Sequence, residues 1–345
     1  MNWINKYIDW AFPKSSIPIH NSTQYLDGWR GIAIAAVLWG HFAFFPLINL
    51  GRVGVELFFV LSGRLMADIL FVKKTELTLF FKRRITRVWQ TMAIFLVITV
   101  LAANHLRLYP SIDWKMFLST LTFTYNYYAV YVEREKVIDH IWSLCIEEHM
   151  YVIMALIAYV SRKRLNNQLP TLLMLTIASI FIINGWIQSS LGYDYNAVYW
   201  RTDTRGASIL MGAIAFLLWP QIYHKNKWAR SSKLPWVMLA IGLLSSTKFC
   251  PDTIRYSFGT ACFAIAMVSA TNSKMIYKFL SNKYLVIMGL VSFSAYLWQQ
   301  PFYALIQGVL DRPILLILAI LTGLCSFWII EKPTRNYLNK FWAKT

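Results

Sequence analysis

Arg30 and His41, in the run GWRGIAIAAVLWGHFAFF, are the first residues whose types and spacing could carry chemistry. They stand about three helical turns apart, so both would lie on one face with ~16 Å of axis between them. A neutral histidine in a low-dielectric surround can take a proton from an alcohol. An arginine near an entrance can hold a phosphate or another anion. The bland alternative explains the pair equally well on its own: Arg30 snorkels to the interface and His41 bonds across helices.

Other ionisable residues interrupt apolar sequence in the same way. Within a membrane each costs about 2.5–3.5 kcal/mol on insertion scales, and each marks a polar pathway or site by default. GRVGVELFFVLSGRLMADIL carries Glu56, Arg64 and Asp68. Spacings of four predict that Arg64 pairs with Asp68, and Glu56 with Arg52, as neutralising contacts. Lys82, Arg83, Arg84 and Arg87 form a basic cluster, suited to a topology signal, a lipid-headgroup contact or an anionic nucleotide. HIWSLCIEEHMYVI puts Trp142, Glu147, Glu148 and His149 at the outer start of an apolar segment, where carboxylates can also be ordinary helix-start charges. WRTDTRGASILMG brings Arg201, Asp203 and Arg205 to another outer edge. A rim of carboxylates and arginines suits a hydroxyl-rich substrate, and suits solvent just as well.

The elements that must position these residues follow from composition. The chain is 57% hydrophobic and only 14% charged, with a mean hydropathy of +0.45, whereas a soluble protein keeps roughly a quarter of its residues charged. Its apolar residues come in blocks long enough to cross a bilayer. These blocks are Gly28–Leu47, Val53–Val72, Trp89–Asn104, Ile141–Val160, Pro170–Ser189, Gly206–Tyr223, Leu234–Phe249, Ile254–Ala270, Tyr284–Gln307 and Pro313–Ile330. The expectation is an all-α integral membrane fold of about ten spanning helices. The segment His105–His140 lies outside, with Phe117–Tyr131 at the interface or over the bundle.

The net charge of +18 could suit nucleic acid, but the basic residues fall in short clusters between apolar blocks. That pattern orients a membrane protein, and no nucleic-acid partner is expected. An even number of spans puts both termini on one side, and the Lys and Arg bias makes that side cytoplasmic. The expected layout is a cytoplasmic segment over 1–27, a membrane domain over 28–330 and a short cytoplasmic tail over 331–345, with no separate soluble domain. Asp27-Gly28 reads as a helix cap and start. The first twenty residues lack a signal peptide's apolar core and cleavage site, so the first span serves as the targeting signal. Cys145, Cys250, Cys262 and Cys325 have no metal-ligand spacing and read as small hydrophobes; no metal site is expected.

Taken in order, YLDGWRGIAIAAVLWGHF, GVELFFVLSG, FFKRRITRVW, HIWSLCIEEHMY, RTDTRGASILMG, VSFSAYLWQQP and IEKPTR resemble the membrane-bound acyltransferase family 3. Its members are O-acetylases that decorate bacterial surface glycans. The blocks run from Tyr25 to Arg335, nearly the whole chain. The resemblance implies a multi-pass enzyme of the bacterial inner membrane, in contact with membrane lipids. Its donor would be an acyl-CoA, by default acetyl-CoA, acting as co-substrate with no bound cofactor. Its acceptor would be a sugar hydroxyl of a lipid-linked or nascent glycan. The resemblance implies His41 as the catalytic histidine, Arg30 as its essential partner and Glu147 as a further site residue. With the residue reading, it puts Arg83, Arg84 and Arg87 on the donor side, and Glu148, Arg201, Asp203 and Arg205 on the acceptor side.

Three positions depart from the family pattern. Gln299 stands where the Leu-Trp block usually continues with histidine, Gln90 where proline is common, and Arg64 where phenylalanine often follows Leu-Ser-Gly. The last adds a membrane charge that could answer to this chain's own acceptor.

The expected mechanism docks the acyl-CoA phosphates on Arg30 and the Arg83–Arg87 cluster and threads the thioester toward His41. His41 then acts as general base on the acceptor hydroxyl or relays the acyl group covalently, with Glu147 orienting it or binding acceptor. The acceptor stays open among O-antigen, exopolysaccharide, capsule, peptidoglycan and a small glycosylated metabolite, with lipopolysaccharide O-antigen or a related surface polysaccharide such as an exopolysaccharide favoured by analogy. The competing class is a polytopic transporter or flippase for a glycolipid or anionic substrate, whose usual internal repeat is not visible here. A lipid scaffold without chemistry leaves the Arg30–His41 geometry unexplained. Nothing in the sequence speaks to oligomeric state.

Overall fold

All ten apolar stretches form helices, as they must where no water is at hand to satisfy the backbone. The structure is a computed structural model describing residues 23–43, 45–162, 168–308 and 311–342. The expected amino-terminal segment therefore lies mostly outside the described residues. Among those residues there is no β-strand.

Helix α1 is Gln24–Phe42. α2 is Leu50–Ala67, prolonged by a π turn at Asp68–Val72. α3 runs Leu77–Asn104. The short helices α4 (Trp114–Leu121) and α5 (Tyr125–Tyr131) occupy the segment expected outside. Then come α6 (Ile141–Arg162), α7 (Leu169–Ser190) and α8 (Thr202–Lys225), followed by α9 (Leu234–Ser245), α10 (Thr260–Ser269) and α11 (Lys274–Leu280). α12 is Lys283–Ala304, and α13 is Asp311–Trp342.

Five of these helices (α3, α6, α7, α8 and α13) are long and apolar enough to cross a membrane, and α11 with α12, bent by 54° at their junction, would make a sixth. Ten were expected. The shortfall has physical causes: α2 carries Arg52, Glu56 and Arg64 within its length, while α9 has only 12 residues and α10 only 10. α10 is largely buried among its neighbours, whereas α9 turns Trp236, Val237 and Leu244 outward. The chain is a multi-pass membrane protein.

Two expected boundaries shift. α1 starts at Gln24 with Thr23 as N-cap, so Asp27 is not the cap; it sits in the first turn and accepts a hydrogen bond from Arg30 at 3.0 Å. α13 runs straight through the expected end of the membrane domain at Ile330, with a π turn at Phe327–Glu331.

α1 packs most extensively on α12 and α2, and α2 on α8. Glycines let these backbones approach closely, the usual device where lipid offers no hydrophobic drive to pull helices together. A Cβ at Gly31 would overlap the carbonyl of Leu285, and one at Gly289 that of Asp27. Between α2 and α8 the relation is reciprocal, with Gly63 against Ile209 and Gly212 against Val60. Gly63→Ala must push α8 away, and overpacking of this kind costs about 1–3 kcal/mol. The expected result is a clear drop in the thermal midpoint of the purified protein in detergent; an unchanged midpoint would show that this crossing is looser than the structure has it.

Candidate active site

The polar interior divides into two ends along α1. At one end, Arg30, Arg84 and Arg87 line a cavity together with Ser62, Glu147 and Tyr151. Its walls are apolar, including Val55, Phe58, Phe59, Leu65 and Phe293, and it reaches as far as Ser143 and Tyr296. Arg84 donates to Glu148 at 2.6 Å and lies 3.9 Å over the Tyr151 ring. Glu147 accepts from Ser62 at 2.9 Å and from the Tyr151 hydroxyl at 2.8 Å.

Arg87 occupies a π turn at Ile85–Trp89, and such turns often occur at functional sites. The charged groups facing it are Arg30, Arg84, Glu331 and Arg335. Glu331, on the π turn of α13, accepts from Ser294 at 2.6 Å and lies 3.7 Å from Arg335. Gln90 explains its own departure from the family pattern. Its side-chain amide donates to the Thr86 carbonyl and so satisfies a backbone group of the π turn.

His41 lies at the other end. Its Nδ1 is 2.6 Å from Gln299 Oε1 on α12, its ring stacks on Tyr303 at 4.4 Å between centroids, and Gly51 of α2 packs beside it. Tyr296, one turn before Gln299, closes the cavity short of His41. Its hydroxyl bonds Ser143 Oγ at 2.6 Å and the His140 carbonyl at 2.9 Å.

Several expected partnerships are replaced. Glu147 does not touch His41. It lies about 9 Å into α6 by helical rise, at the level of the arginines, because its partner Ser62 is eleven positions along α2 from Gly51. Glu148 likewise is not on an acceptor rim but is bound to Arg84. Arg83 is exposed, away from the cavity that takes Arg84 and Arg87. Glu56 pairs with Arg205 at 2.5 Å rather than with Arg52, and Arg52 turns to Asp252 at 3.8 Å and to the Tyr195 ring. Asp68 pairs with Lys73. Arg64 is free to lie 4.7 Å over Phe216, at the end of α2 remote from His41, which argues against a role toward acceptor. For Glu56, Arg52 and Arg64 a group on another helix replaces the neighbour four residues along, and for Asp68 it is Lys73 at the end of its own helix.

On the expected acceptor side, Arg201 binds Asp203 at 2.5 and 3.0 Å and Gln188 at 2.6 Å. Arg205 is separate from them, fully buried on Glu56 and 3.4 Å over the Tyr256 ring. Residues given no role from sequence include Ser62, Ser143, Tyr151, Tyr296, Gln300, Tyr303 and Arg335. All of these but Tyr303 fall inside the quoted family blocks, which is the available signal.

An all-helical bundle with arginines, carboxylates and a histidine gathered in its interior is a polytopic membrane protein built around internal polar chemistry. The chain belongs to acyltransferase family 3: the family's "acyltransferase domain" model matches residues 23–331. It is similar to the O-acetyltransferase OatA of Staphylococcus aureus, 26% identical over 90% of this chain and 57% of that protein. It is also similar to the peptidoglycan O-acetyltransferase OatA of Listeria monocytogenes, 27% identical over 92% of this chain and 56% of that protein. The chain thus spans little more than half the length of these relatives. No solved structure matches it significantly.

Proposed function

We propose that this chain transfers an acetyl group from acetyl-CoA to a sugar hydroxyl of a bacterial cell-surface glycan, working in the inner membrane with ten helices across it and both termini cytoplasmic. The observation that carries the reading is the cavity itself. Three arginines gather at one end, and apolar walls lead away from them as far as Tyr296, one turn of α12 before the Gln299 that holds His41; the thioester reaches the imidazole once the Tyr296 side chain moves aside. A CoA thioester has that shape, with phosphates at one end of a long thin arm and the reactive carbonyl at the other.

Arg30, Arg84 and Arg87 hold the phosphates, and the arm follows Phe58 and Phe59. His41 takes the proton of the acceptor hydroxyl as the oxygen attacks the thioester carbonyl. The C–S bond then breaks, and the departing thiolate receives that proton from the imidazolium and leaves as CoA-SH. Arg201 and Asp203 meet the acceptor glycan. The names of both relatives support O-acetyl transfer, and the Listeria name supports peptidoglycan as an acceptor; neither supports O-antigen or transport.

Arg87→Ala tests the donor end, because Arg87 faces mainly other arginines and has little structural duty. The KM for acetyl-CoA should rise about tenfold with kcat nearly unchanged, the signature of lost uniform binding. The readout is initial rate against acetyl-CoA concentration in proteoliposomes. An unchanged KM would remove the arginine cluster from donor binding.

A further inference from the structure

We infer that Gln299 and Gln300 are positioning residues that lock His41 in one tautomer, with the proton on Nδ1 and the basic lone pair on Nε2. This rests on the reading of His41 as the base. The Lys136 backbone carbonyl can only accept, and it lies 2.7 Å from the Gln300 side-chain amide nitrogen. Rotating that amide would set two oxygens against each other, so Gln300 Nε2 donates there and Gln300 Oε1 faces Gln299. That oxygen accepts from Gln299 Nε2 at 3.2 Å, which in turn commits Gln299 Oε1 to His41. An oxygen 2.6 Å from Nδ1 requires N–H on that nitrogen.

Both glutamines are buried, Gln299 completely, so the link between the two amides is closed to water. The polarity set by one carbonyl outside α12 therefore passes through two amides to the imidazole. Gly51 flanks Nε2, where even a Cβ would stand 3.5 Å away, and so leaves room beside the lone pair. Such control of a histidine by the bond at its other nitrogen is a general device. Here an amide does what a carboxylate often does, without adding a charge inside the bundle. It also accounts for glutamine at 299, since its orientation is dictated from beyond.

The test uses full-length protein labelled with ¹⁵N-histidine in lipid, with His41 assigned by the resonances lost in His41→Ala. The wild type should show protonated Nδ1 and unprotonated Nε2. Gln299→Leu should lose that preference and lower kcat about 10²-fold while leaving the KM for acetyl-CoA in place. Gln299→Glu breaks the link to Gln300, since its second oxygen faces Gln300 Oε1, but it keeps an acceptor at Nδ1 and so keeps the tautomer. Its carboxylate favours the imidazolium, however, so the acid limb of kcat/KM should move up by about one pH unit. The other titratable groups around the imidazole, His140, Tyr303 and Lys136 over the Tyr303 ring, are unchanged in these variants and serve as a common background.

Protonated Nε2 in the wild type would overturn the inference, as would an unmoved acid limb in Gln299→Glu. The NMR result does not depend on turnover. If His41→Ala keeps its activity, the reading of His41 as base fails, while the tautomer stands or falls on its own spectrum.

Discussion

Replacing His41 with alanine should lower acetyl transfer at least about 10³-fold while leaving the amount of protein in the membrane unchanged. The size of the loss follows from what the imidazole would do: it takes the acceptor proton, and general base catalysis is worth 10²–10⁴. Unchanged abundance follows from the packing. The α1–α2 crossing beside His41 is made by the Gly40 and Gly51 backbones, and the imidazole lies partly exposed at the edge of the bundle. Initial rates in membranes, normalised to immunodetected protein, provide the check. Transfer within tenfold of wild type would end the general-base role and leave the donor cavity without a reaction to serve.

The second large effect concerns stability. Glu56 and Arg205 form an ion pair at 2.5 Å with 3% and 0% of their side chains exposed, and Thr260 donates to the same carboxylate at 2.5 Å. Removing one member strands a buried charge, at a cost of about 3–5 kcal/mol. Arg205→Met and Glu56→Leu should each sharply reduce folded protein in the membrane, and the double variant should recover a good part of it. Detergent-solubilised, monodisperse protein by size exclusion is the measure. The result also separates two roles for Arg205: if it bound acceptor, its variant would fold normally and raise the KM for glycan alone.

Helices were legible in the sequence because apolar block length is a one-dimensional signal. The Arg30–His41 spacing was legible for the same reason, since both residues lie on one helix. Partners were not. Spacings of four suggested Arg64 with Asp68 and Glu56 with Arg52, but a chain packed on all sides offers closer partners from other helices, and Arg205 reaches Glu56 from α8. Depth misled as well. Glu147 and Glu148 sit in the second turn of α6, and only the packing of α3 and α2 against that helix brings them to the arginine level. Gln299 was visible as a departure from the family pattern, yet its contact with His41 spans 258 residues of chain. The span count is less sharply legible: length and apolarity mark five or six of the helices as spans, while charges within α2 and the shortness of α9 and α10 leave the others to be placed by their packing.

The measurement closest to the central claim is proton NMR of the surface glycan purified from host cells expressing either the wild type or His41→Ala at equal membrane levels. Ester-linked acetyl groups should be present with the wild type and absent with the variant, and the sugar resonances they shift would identify the acceptor hydroxyl. Equal acetylation in both strains, or none in either, would contradict the account.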